Sequence, residues 1–162
     1  MRNSVLTAAF ALSVSAVLSF GCGAGGPPSA NSFTEVYTKT IQPKCSSDFC
    51  HYNGVSLPFS GLDLSSKVRA YSSLVGMPCM GNNCSQRGTR VVPGDPGKSV
   101  LYLKLLDDTD AGTTMRCGIQ MPMDMTTFRT NGISDLKFSG VTLPTDEQRR
   151  IHEWIQEGAQ NN

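Results

Sequence analysis

The sequence has no run of basic residues and no interleaving of arginine with aromatic side chains, and its formal net charge is only +1. A surface that neutralises nucleic-acid phosphates is therefore not expected, and nucleic acid is set aside as a partner. Catalytic signatures are also missing: there is no nucleophile elbow, no paired-acid motif and no phosphate-cradling glycine loop. Gly94-Asp95-Pro96 reads as a helix cap, so the chain is not expected to be an enzyme. Long apolar runs are absent too. The best, Val5 to Phe20, is too short for a comfortable membrane span. At 162 residues, with no internal repeat, the chain suits one domain and is short for two.

What the amino terminus does contain is an export signal, with Arg2 as a short positive start before that apolar run. It ends Leu18-Ser19-Phe20-Gly21-Cys22, and a glycine- and proline-rich tether follows. This resembles a bacterial lipoprotein signal in which Cys22 is lipidated and becomes the first mature residue, although leucine stands at 18 where such signals usually have it at 19. The alternative is ordinary cleavage and a soluble periplasmic product. The expected division is signal 1–22, tether 23–31 and domain 32–162, with the mature chain in the cell envelope, on the outer membrane or periplasmic face. Six cysteines agree with an oxidising compartment.

In the mature chain, Ser32 and Glu35 have capping-box spacing, and Phe33, Val36, Tyr37 and Ile41 follow at helical intervals until Pro43 is expected to stop them. A second helix is predicted after Ser65 or Ser66, with Val68, Tyr71, Leu74 and Val75 on one face and Gly76 as its stop. The segment 77–90 reads as irregular chain held by a crosslink. Asp95 and Pro96 open a third, apolar helix through Val100, Leu101, Leu103, Leu105 and Leu106, closed by Asp107, Asp108 and Asp110. The last helix is expected to start with a Thr145/Gln148 capping box, bury Ile151, Trp154 and Ile155, and stop at Gly158.

The first helix delivers the chain to Cys45-Ser46-Ser47-Asp48-Phe49-Cys50-His51. In the usual c-type haem site, Cys-x-x-Cys-His, two cysteines form thioethers with the haem vinyl groups and the adjoining histidine ligates iron. Two covalent anchors pin one porphyrin edge, which leaves the next residue little freedom except to rise under the metal. Here the cysteines are separated by four residues instead of two, so the spacer has to bulge away from the macrocycle. Two other chemistries suit the same residues. One is a Cys45–Cys50 disulfide with His51 on the surface. The other is zinc, held by Cys45, Cys50, Cys79 and Cys84.

The order of short motifs resembles a single-haem, class I type cytochrome c, and more narrowly the exported cytochrome c-like domains of planctomycetes and myxobacteria. The residues that carry the likeness are Cys45, Cys50 and His51; Gly61, Leu62 and Leu64; Val91, Pro93, Gly94, Asp95, Pro96, Ser99 and Leu101; Met121 and Pro122; and Ile151, Trp154, Ile155, Gly158 and Ala159. The resemblance covers nearly the whole mature chain after the tether. It implies an all-α, cytochrome c-like fold in which amino- and carboxy-terminal helices cross amid long irregular loops. It also implies haem c held by Cys45 and Cys50, with iron between His51 and Met121. A neutral, soft thioether favours Fe(II), so such a pair raises the reduction potential. Met123, two residues on, competes with Met121 for that role, and His152 is expected to be solvated. The wide Cys45–Cys50 spacing departs from the family pattern and leaves open a haem-free version of the same fold.

Cys84 with Cys117 is the preferred disulfide, since it would hold the loop carrying Met121, worth about 3 to 4 kcal/mol for a closed loop of a few tens of residues. Cys79 with Cys84 is the local alternative. Two functions follow. In the first, the chain is an electron carrier with haem packed against Phe33, Tyr37, Leu101, Leu105 and Trp154, serving a redox partner protein from a lipid-anchored position. In the second, it is a haem-free, disulfide-stapled envelope lipoprotein that binds or supports other components.

Overall fold

A computed structural model describes residues 31–46, 50–52, 61–80, 88–106, 120–122 and 142–162. Helical chain runs without a break from Phe33 to Cys45 in three pieces: α1 (Phe33–Val36), a π turn (Tyr37–Ile41) and α2 (Gln42–Cys45). Ser32 starts it, its hydroxyl accepting from the Glu35 N–H at 3.2 Å. The first helical N–H groups meet Asn162, whose side-chain oxygen accepts from Phe33 N–H and whose backbone oxygen accepts from Thr34 N–H, both at 3.0 Å.

Pro43 does not stop this helix. In the widened turn Gln42 N–H reaches the Tyr37 carbonyl, five residues back, and Pro43 falls in the first turn of α2. A first-turn residue needs no N–H, so the register change accommodates the ring that an uninterrupted α-helix would reject. The consequence is that helix carries right up to Cys45.

The second helix, α3 (Lys67–Leu74), is capped by Ser66, whose hydroxyl accepts from Arg69 N–H at 3.3 Å. Its buried face is Ala70 and Leu74, while Val68 is 72% exposed. The expected stripe was centred one residue off because Ala70, small and easily overlooked, is the residue that touches the core. Gly76 follows with φ +70, the left-handed conformation that lets the chain turn back. The segment beyond it is held by main-chain pairing where a crosslink was expected: Gly76 N–H to Val91 O at 3.0 Å, Cys79 N–H to Gly88 O at 2.9 Å and Arg90 N–H to Met77 O at 2.8 Å. Bridges at Val75–Val91, Pro78–Thr89 and Thr89–Ser99 complete it, and none extends into a strand among the described residues.

Asp95 caps as anticipated, accepting from Lys98 N–H at 3.1 Å with Pro96 in the first turn. The third helix is nevertheless split into a 3-10 turn (Pro96–Lys98) and a short α4 (Val100–Leu103). Ser99 makes the break. Its backbone is extended, and its hydroxyl donates to Asp95 O at 2.8 Å while accepting from Val92 N–H at 2.8 Å. Local side-chain bonding thus displaces helix continuity. Asp107, Asp108 and Asp110 lie outside the described residues.

The last helix, α5 (Thr145–Gln156), has Pro144 at its N-cap, so Thr145 is one place too far along to cap and the capping box does not form. Gln148 instead donates to the Leu143 carbonyl at 2.8 Å. At the far end Ala159 N–H bonds Trp154 O at 2.9 Å and Gly158 N–H bonds Ile155 O at 3.0 Å, the paired bonds of a Schellman stop. Gly158 has φ +98, and a Cβ there would sit 3.1 Å from Gln160 Nε2. Gly158→Ala is expected to destabilise the fold by about 1 to 2 kcal/mol, seen as a fall in Tm. An unchanged Tm would show that the stop tolerates a side chain.

α5 lies on α1 through Trp154, whose ring is 5.0 Å from that of Phe33, with Tyr71 edge-on to Phe33 at 5.2 Å. Tyr37, Ile41, Leu64, Leu74, Val91 and Ile151 fill in around them. Gly94 N–H donates to Ile155 O at 2.7 Å and ties the Asp95 turn to the same helix. This core fixes the end of α2 from which Cys45 projects.

Candidate functional site

Cys45 is the last residue of α2, and the chain then turns so that His51 N–H donates to the Cys45 carbonyl at 3.1 Å. His51 in turn gives its carbonyl to Leu64 N–H at 2.7 Å. Cys45, Cys50 and His51 are therefore brought together, each half-buried, with the histidine's backbone held on both sides. The four-residue spacer that separates the cysteines does not prevent this meeting.

The electrostatics of the three differ sharply. Burial, then the Cys50 thiol and the Glu147 carboxylate, push the Cys45 thiol up to about 12, with Lys44 opposing. A sulfur in such a place is held neutral. Burial, then Lys104 and Arg90, push His51 down to about 4, so its imidazole is uncharged at neutral pH and keeps a lone pair to offer. Burial likewise raises the Cys79 thiol against the pull of Arg90 and Lys104.

Met121 is half-buried, and its N–H donates to the Lys104 carbonyl at 2.7 Å, beside Gln120, whose side-chain amide donates to Leu105 O at 3.4 Å. The methionine segment thus docks on the end of α4. Met123 lies outside the described residues, as do Cys22, Cys84 and Cys117, so the lipidation site and the Cys84–Cys117 bridge fall there too. Cys45, Cys50 and Cys79 are thiols, and the Cys45–Cys50 bridge is not formed. Among the described residues no three His, Cys, Asp or Glu side chains gather closely enough to hold a metal ion, so Cys45, Cys50 and Cys79 do not assemble part of a zinc site.

His152 is not solvated as expected. It is half-buried, with its ring edge-on to Tyr102 at 5.0 Å, because α5 packs on α4. The side chains expected to surround a haem, Phe33, Tyr37, Leu105 and Trp154, lie in one core, and Leu101 packs against it.

Four residues near the site carried no usable signal in the sequence. Lys44 and Glu147 pair at 2.6 Å beside Cys45, bringing residues from α2 and α5 together. Glu147 keeps its second oxygen buried without a hydrogen-bond partner. Arg90 is 7% exposed and donates from Nη1 to Ser73 O at 2.6 Å, in the last turn of α3. Lys104 had read only as one polar residue within an apolar helix. No helix among the described residues is long and apolar enough to cross a membrane. No known protein family, curated protein or solved structure matches the chain.

Proposed function

We propose that the chain is an electron carrier with one c-type haem, attached through Cys45 and Cys50 and ligated by His51, with Met121 as the opposing ligand. The observation that carries this reading is the protonation chemistry of the donor set. A zinc thiolate site needs cysteines that ionise easily, whereas Cys45 is held as a neutral sulfur, the charge state of a thioether. His51 is held as neutral imidazole, the form that donates to iron. These residues fit the group.

The protein's own contributions are then definable. The Cys45 and Cys50 thiols each add across a vinyl group, sulfur to one carbon and hydrogen to the other, with no oxidant consumed. The backbone bonds from His51 to Cys45 and Leu64 orient the imidazole. The docking of Met121 N–H on Lys104 holds the methionine backbone near the end of α4. Haem, when bound, supplies a one-electron Fe(II)/Fe(III) couple; no substrate is turned over. An exported, Cys22-anchored location in the cell envelope completes the proposal and supports exchange with a partner protein there.

The test is expression with a c-type maturation system. Haem should stay on the polypeptide in denaturing gels, and replacing Cys45 and Cys50 together by serine should remove it. Met121→Ala should leave haem attached yet abolish the far-red sulfur-to-iron band of the oxidised protein. A colourless, correctly exported product would reject the carrier and favour the haem-free envelope module, whereas persistence of the band would transfer the distal role to Met123.

A further inference from the structure

The haem reading leaves unexplained a deeply buried cation beside the histidine, and the inference drawn here rests on that reading. Arg90 is fixed at both ends of its backbone: its N–H donates to Met77 O at 2.8 Å and its carbonyl accepts from Leu101 N–H at 2.9 Å. Its Nη1 supports the carboxy-terminal turn of α3 through Ser73 O. That one bond explains a structural arginine but uses one edge of the guanidinium fork. The other edge, Nη2, comes to 4.0 Å from where a side chain would begin on Gly61. Gly61 opens the segment whose Leu64 grips the His51 carbonyl.

Lys104 approaches from the opposite side of the sequence, its own carbonyl holding Met121 N–H. Two cations from different elements therefore flank the histidine, and both act on it electrostatically. Placing an arginine at 7% exposure costs desolvation energy that a helix-capping lysine or asparagine at the surface would avoid. A guanidinium in such a place is suited to a planar carboxylate, which it can receive through two parallel N–H bonds.

We propose that Arg90 and Lys104 form a carboxylate-receiving pair for the group carried on His51, binding the acidic edge of the macrocycle and raising its reduction potential. Two positive charges near the iron oppose its gaining a further positive charge on oxidation. They also neutralise carboxylates that would otherwise favour Fe(III).

The test uses the full-length matured protein, with haem content measured first and midpoint potential second. Arg90→Gln retains an amide able to reach Ser73 O but removes the charge. It should keep covalent haem and lower the midpoint potential by about tenfold in the oxidised-to-reduced ratio, about 59 mV for a one-electron couple. Lys104→Gln should shift it in the same direction, and Arg90→Lys should restore most of the wild-type value. A haem-loaded wild type whose Arg90→Gln and Lys104→Gln variants keep its potential would overturn the pair and leave the carrier reading standing. A potential that falls equally in Arg90→Lys and Arg90→Gln would also overturn it, marking Arg90 as a helix cap alone. A wild type without haem would overturn both readings together.

Discussion

Trp154→Ala is expected to destabilise the fold by about 3 to 5 kcal/mol, the range for truncating a large aromatic side chain in a packed core. The size follows from where the indole sits. It is 1% exposed, lies against Phe33 at 5.0 Å, and donates from Nε1 to Gln160 O at 2.9 Å. The same core joins α1 to α5, so the cavity would open at the contact that aligns Cys45 with the rest of the chain. Domains of this kind have about 5 to 15 kcal/mol in all, and the variant should unfold at much lower denaturant concentration. Trp154→Phe retains most of the apolar volume and loses the Gln160 bond, and should lose only about 1 to 2 kcal/mol. Denaturant melts of both variants check this. Equal losses would assign the stability to the Nε1 bond rather than to ring packing.

How far the sequence exposes this architecture depends on the range of each interaction. Ser32, Ser66 and Asp95 do what their spacing predicts because a cap is satisfied three residues away, whatever the remainder of the chain does. Gly76 and Gly158 are legible for the same reason: the left-handed turn each supplies is local. Thr145 is the instructive exception. Its motif is sound, but Pro144, in extended conformation, takes the cap position and moves the helix start by one residue.

Longer-range competition explains the other departures. Ser99 breaks a helix because Val92 and Asp95, already folded into a turn, offer its hydroxyl better partners. Pro43 stays inside a helix because the chain widens to a π turn before it. The Cys45-Cys50-His51 grouping is visible in the sequence since six residues suffice to close it through the His51 N–H and Cys45 carbonyl. Its electrical surroundings are not. Glu147 arrives from α5, and Arg90 and Lys104 arrive from either end of the Ser99 turn, so no window of adjacent residues contains the charges that set the state of the site.

Those charges give the haem-free chain a distinctive response to acid. His51 titrates near 6.5 when unfolded and at about 4 in the folded chain, because burial and then Lys104 and Arg90 oppose its protonation. Between those values the unfolded state binds more protons, so stability rises with pH there. The contribution is complete above about 6.5 and is lost as pH falls towards 4. Its full size is about 3 kcal/mol, reduced to about 2 for a half-buried ring that water partly reaches. Protein made without haem maturation should therefore lose this much between pH 6.5 and 4 in denaturant melts. His51→Gln, which cannot take up the proton, should lose less by the same amount. The difference between the two profiles isolates His51 from His152 and the carboxylates. In the matured protein iron would occupy the imidazole lone pair, and the difference should vanish from wild type while haem remains attached. An identical acid slope in haem-free wild type and His51→Gln would mean that the ring is exposed to solvent, removing the neutral imidazole on which ligation depends.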